Sequence, residues 1–143
     1  MNQKKFWIAF IVIFIVYEIT NFIVHALILG STYMSEEVAP MFRPQEVLAS
    51  TQWIRLFTEL VWSFFFTFIF VKGYENKGIM EGVKYGVYMG LFYSFVFAYQ
   101  SYWMYPLPYS LALQWFIFGL IQCVMLGILA ALIYKPKPSE GQS

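Results

Sequence analysis

Glu18, Asn21 and His25 stand three and four residues apart in an otherwise apolar stretch, a spacing that places them on one stripe of a helix. Glu18 falls near the middle of a bilayer, where an ionised side chain costs about 2.5–3.5 kcal/mol on insertion scales. An isolated carboxylate at that depth must find a partner or take up a proton. Two interpretations stay open: a hydrogen-bonded cluster that joins helices, or a proton- or cation-responsive site. Farther on, Arg55, Glu59, Ser63 and Thr67 follow one another at four-residue intervals and make a second polar ridge. Arg55 and Glu59 can neutralise each other within the helix, or be held open toward a ligand or the first helix.

Other chemistries are weakly supported. The chain contains no Asp, so a Ser-His-Asp triad is excluded, and no nucleophile elbow supports a Glu substitute. One His and one Cys give neither a metal-ligand set nor a haem pair, and Cys123 has no partner for an internal disulfide. Gly78 and Gly82 follow no strand, which removes the phosphate-binding reading of the glycine series. No metal, cofactor or covalent catalysis is expected.

These groups must be positioned by membrane-type helices. Of the 143 residues, 60% are hydrophobic and 12% charged, against roughly 25% charged in a soluble domain. The formal charge of +1 offers no field for nucleic acid. Crossing ~30 Å of hydrocarbon takes about 20 helical residues, and four segments qualify: residues 6–29, 53–71, 83–105 and 109–134. The first is too long for the apolar core of a secretory signal, so it is predicted to be an uncleaved span. The predicted fold is all-α, a single polytopic domain with four transmembrane helices in an up-down bundle.

Basic residues near span ends stay in the cytoplasm. Lys4, Lys5, Lys72, Lys77, Lys84, Lys135 and Lys137 fall on one side, and only Arg43 and Arg55 on the other. Both termini are therefore predicted cytoplasmic, and the 31–52 loop and the Pro106-Leu107-Pro108 turn external, in a bacterial inner membrane. Pro44 suits a first helical turn, so a helix from about Gln45 is expected to run on into the second span. The tail, residues 136–143, is short and polar and is expected to be mobile.

At about 1.5 Å per residue, His25, Glu59, Gln100 and Gln114 all come to lie roughly 7–10 Å below the outer face, one from each span. A polar layer in the outer leaflet is predicted, with Glu18 and Asn21 beneath it and Arg55 above. Gly82, Gly86 and Gly90 repeat every fourth residue in the third span, and Gly119, Cys123 and Gly127 do so in the fourth. Small residues at that spacing let backbones approach closely, so these helices are expected to pack on each other or across a dimer.

The first span, opening at Trp7-Ile8 with Tyr17-Glu18-Ile19-Thr20 at its centre, resembles the small multidrug-resistance transporters. That resemblance implies a four-helix protein in which Glu18 binds protons and cationic drugs within a dimer. The present chain is longer and has a larger outer loop. His25 to Tyr33, Arg43-Pro44 and the run from Lys72 to Gly90 also look like small uncharacterised bacterial four-helix membrane proteins, a likeness that implies no activity. The expectation is a binding, sensing or accessory protein whose partners are the bilayer and a homodimer or larger complex. The alternative is a proton-coupled small-molecule transporter in which Glu18 carries the proton.

Overall fold

Asn2 starts the first helix, because its side-chain oxygen accepts a hydrogen bond from the Lys5 backbone N–H at 3.1 Å, satisfying one of the free donors of a helix N-terminus. From there α1 (Gln3–Asn21) continues without a break into a π-helical stretch, Phe22–Ile28. The computed structural model describes residues 1–135, and no strand occurs among them. The 29–51 connection holds α2 (Gly30–Tyr33), a 3-10 turn (Ala39–Met41) and α3 (Gln45–Ser50), before α4 (Gln52–Lys72). A helical run of α5 (Ile79–Met89), a second π stretch (Gly90–Phe95) and α6 (Val96–Met104) precedes α7 (Tyr109–Tyr134). The expected polar tail, with Lys137, lies outside the described residues.

Three helices are long and apolar enough to cross a membrane: Gln3–Ile28, Gln52–Lys72 and Tyr109–Tyr134. The expected third span is helical as far as Met104 but is not one of these three. Tyr85, Tyr88, Tyr93, Tyr99 and Tyr102, with Gly82, Gly86 and Gly90, lower its hydropathy. Large apolar side chains cover the exterior, among them Trp103 at 80% exposure and Phe92 at 74%. A soluble monomer rarely shows such a continuous apolar surface.

The expected helix from Gln45 does form, but Thr51 (φ −105°, ψ 12°) separates α3 from α4. Its hydroxyl donates to the Val47 carbonyl at 2.6 Å and closes α3, a side-chain bond that competes with helix continuation.

Two apolar cores form. The larger joins Phe6, Ile13 and Tyr17 of α1 to Phe66 and Phe70 of α4 and to Cys123, Leu126 and Ala130 of α7. The smaller, at the loop end, gathers Leu29, Val38, Leu107 and Leu111. At the opposite end the Asn2 backbone N–H donates to the Tyr134 hydroxyl at 2.8 Å, and Lys5 Nζ donates to the Lys135 carbonyl. The start of α1, the end of α7 and the turn after α4 thus share one end of the bundle, where Tyr74 packs edge-on to Tyr134.

Glycine decides how the third run meets α7. A Cβ at Gly82 would stand 2.7 Å from the Gly127 carbonyl carbon, and one at Gly86 would stand 2.5 Å from the Cys123 carbonyl oxygen. The four-residue spacing therefore serves a backbone contact within one chain, one of the two arrangements expected. Replacing Gly86 with Leu is expected to overpack this contact and cost about 1–3 kcal/mol, read as a lower unfolding midpoint in detergent. The same change at Gly73, whose Cβ would meet nothing closer than 3.6 Å, should leave the midpoint close to that of the parent.

Candidate functional site

Helix α4 crosses α1 where both carry their charges. Arg55 Nη1 donates to Glu18 Oε2 at 3.1 Å and also to Glu59 Oε2, so one guanidinium holds two carboxylates. With its amide oxygen turned toward Arg55, Gln52 accepts from Nη2 at 3.0 Å and Nε at 3.3 Å. Asn21 Nδ2 donates to Glu59 Oε1 at 2.9 Å. Gln122 Nε2 of α7 reaches Asn21 Oδ1 at 3.0 Å and Thr20 Oγ1 at 2.5 Å. One continuous network therefore ties three helices together. Such bonding satisfies polar groups that lipid cannot. One atom is left over: Glu18 Oε1 is buried and has no partner among the described residues.

The predicted stripe on α1 divides in two. Glu18 and Asn21 turn to α4, while the π stretch that begins at Phe22 carries His25 to Tyr33 of α2. A π turn takes in an extra residue and offsets everything beyond it, and such turns recur at functional sites. His25 Nδ1 lies 2.6 Å from the Tyr33 hydroxyl, with the two rings stacked, and Trp115 Nε1 donates to the same hydroxyl at 2.7 Å. Burial pushes the Tyr33 hydroxyl up to about 12, against the opposing effect of the Trp115 hydrogen bond. It stays protonated through the physiological range and can donate to His25 while accepting from Trp115.

Gln100 and Gln114 do not join the layer expected of them. Both are exposed, and neither lines the cavity described below. Gln122 supplies the α7 amide instead. It lies eight residues beyond Gln114, which turns it by about 80° on a helix. Thr20, Tyr17 and Tyr33 are likewise participants that spacing alone did not single out. A usable signal for Gln122 was depth: counted from the outer ends of their helices, Gln122 and Glu18 fall near the same level. Ser63 and Thr67 continue the α4 ridge into the larger core, where the Thr67 hydroxyl donates to the Ser63 carbonyl at 2.8 Å. Gly90, the remaining packing glycine of the third run, faces Leu120, and Gly119 faces the side chain of Ser94.

Between the two cores lies a cavity of about 1000 Å³. Arg55, Glu59, Asn21 and Gln122 form its polar side, and Tyr33, Tyr93, Phe97, Trp115 and Phe118 supply aromatic walls. The loop between α1 and α4 contributes Pro40, Phe42 and Arg43, so it is part of the cavity wall. The size and the few convergent polar groups are those of a small-molecule site. Among the described residues no three His, Cys or Glu side chains come together as a metal site would require.

Compared with protein-family models, with curated proteins and with solved structures, the chain matches none.

The network and the outward amides make opposite predictions. Gln122→Leu removes the donor that Asn21 and Thr20 share, and is expected to destabilise by about 1–3 kcal/mol. Gln114→Leu, at an exposed position, should stay within about 0.5 kcal/mol of the parent. Paired unfolding curves in one detergent check both; equal losses would contradict the assignment of Gln122 to the network.

Proposed function

We propose that this chain is a membrane-embedded binding protein, of a sensing or accessory kind, that takes an amphiphilic small molecule into the cavity between its two cores. The supporting observation is a cavity of about 1000 Å³ with aromatic walls and an ion-paired, hydrogen-bonded side at Arg55, Glu59, Asn21 and Gln122. Aromatic walls hold an apolar body, and the polar side fixes its orientation. No covalent step is required.

In this proposal the Ile79–Met104 run is a fourth span beside the three apolar helices, and the bundle runs up and down. Both termini face the cytoplasm, as the lysine bias favours, and the cavity then belongs to the outer leaflet of a bacterial inner membrane. Trp7, Trp53 and Trp103, each at least 50% exposed near a helix end, suit the two interfaces.

One atom favours a second function. Glu18 Oε1 is buried without a partner among the described residues, and a carboxyl oxygen so placed is where a transported proton would sit. The alternative is a proton-coupled transporter with Glu18 as the proton-carrying group and Asn21, His25 and Glu59 as its neighbours.

Binding is tested by titrating phenethylamine, and separately phenylacetate, onto the purified chain while following tryptophan emission. Trp115 lines the cavity, so a saturable change is expected with at least one of the two. Val24→Trp, which fills the cavity wall, is expected to weaken it by roughly tenfold or more, about 1.4 kcal/mol. Absence of a saturable signal from both probes would refute the binding proposal. Transport is tested by Glu18→Gln in reconstituted vesicles under a pH gradient. Loss of proton-linked phenethylamine uptake supports the carrier, and no uptake by the parent excludes it.

A further inference from the structure

A second cavity, of about 410 Å³, adjoins the first. It lies between α4 and the π stretch of the third helical run, lined by Trp62, Phe65, Phe66, Ile69, Met89 and Phe92. Tyr17, Glu59 and Tyr93 line both cavities. The groove exists because the helices that flank it are held elsewhere. The π stretch and α6 pack on α7, whereas α4 packs on α1 and meets the third run through Tyr85 of α5 and Tyr93 of the π stretch. Phe65 is 53% and Phe92 74% exposed, so the rim of the groove lies on the surface that lipid would cover.

We propose that this groove is the alkyl-chain subsite of the same binding protein, and that its ligand is a long-chain amine dissolved in the bilayer. The ammonium head sits at the Glu59 threshold and the chain lies along α4 toward Ile69. The inference rests on the binding proposal above and adds the ligand class and its side entrance.

Three observations select this chemistry. First, the ion cluster beside the groove sets two carboxylates against one guanidinium: Arg55 serves both Glu18 and Glu59. A primary ammonium brings one positive charge to that excess of negative charge. An anionic head would add a third negative group to one guanidinium. Second, the threshold is aromatic. Tyr17 stacks on Trp62 with centroids 4.4 Å apart, and Tyr93 lies 5.6 Å from Trp62. Such faces attract an ammonium in a desolvated site. Third, the groove beyond Glu59 is apolar. Glu59 to Ile69 spans about 15 Å along the helix, room for an extended alkyl chain, which on leaving lipid keeps an apolar surrounding while its head reaches the carboxylates. An amphiphile already in the bilayer needs no passage through the outer loop to bring its head to Glu59.

The test uses the purified full chain in phosphatidylcholine vesicles containing hexadecylamine that carries a mid-chain diazirine. The corresponding diazirine-bearing hexadecanol serves as a chain-matched control. After irradiation, adducts are expected on peptides holding Phe65, Ile69 and Phe92. Unlabelled hexadecylamine should suppress them, and hexadecanol should not. Glu59→Gln keeps an acceptor for Asn21 but removes the charge, and is expected to lower amine labelling roughly tenfold, about 1.4 kcal/mol. Labelling by the alcohol should be unchanged. Ile69→Trp, at a half-exposed position, should reduce amine labelling while phenethylamine still binds the larger cavity.

Equal labelling by amine and alcohol, or indifference to Glu59→Gln, would reduce the groove to ordinary lipid contact and overturn the inference. Saturable phenethylamine binding with no groove adducts overturns the chain subsite and leaves the binding proposal standing. Failure of both probes removes the two together.

Discussion

One guanidinium between two carboxylates, set among apolar helices, is the constraint around which this chain is arranged. Arg55 cannot leave without setting two part-buried carboxylates side by side with no cation between them. The pairing fixes the rotation of α4 against α1. The amide relay through Asn21 then fixes α7 through Gln122. Apolar packing between helices has little directional preference in lipid, so the polar contacts specify which faces meet.

The glycines act on the same bundle from the other side. Gly82, Gly86 and Gly127 draw α5 into backbone contact with α7, while the third run meets α4 through the side chains of Tyr85 and Tyr93. The groove beside Trp62 follows from that asymmetry. Two attachments that pull in different directions, one polar and one steric, leave the space between them unfilled. A bundle of uniform leucine faces would have closed it.

Spacing and depth made half of the site legible. Glu18 and Asn21 are neighbours on one helical face and Arg55 and Glu59 are four residues apart, so each pair could be read from the sequence; that Arg55 reaches down to Glu18 was only one of the alternatives spacing left open. Gln122 was obscured because α7 is apolar on nearly every side and carries no periodic signal to show which amide faces inward. Gln114 matched His25 in depth but not in rotation. His25 departed from the Glu18 stripe because nothing in Phe22–Ile28 announces a π turn. The packing of Val38 on Leu29 and Leu107 was hidden for another reason: burial of a loop valine is a tertiary event with no local pattern. The glycine spacing predicted a close helix contact but could not by itself choose between a contact within the chain and one across a dimer.

Helix α7 packs on α1, α4 and the third run, and it is the hub of the bundle. It is also the last described helix to be synthesised, so the chain must wait for its axle while the other helices are already made. During that interval α1 and α4 have each other: the ion pairs at Arg55 need nothing from α7. The early pair can serve as a template whose remaining amide, Asn21, stays open until Gln122 arrives to close it. The order of translation and the order of bonding then coincide, which spares the newborn chain a search among wrong helix partners.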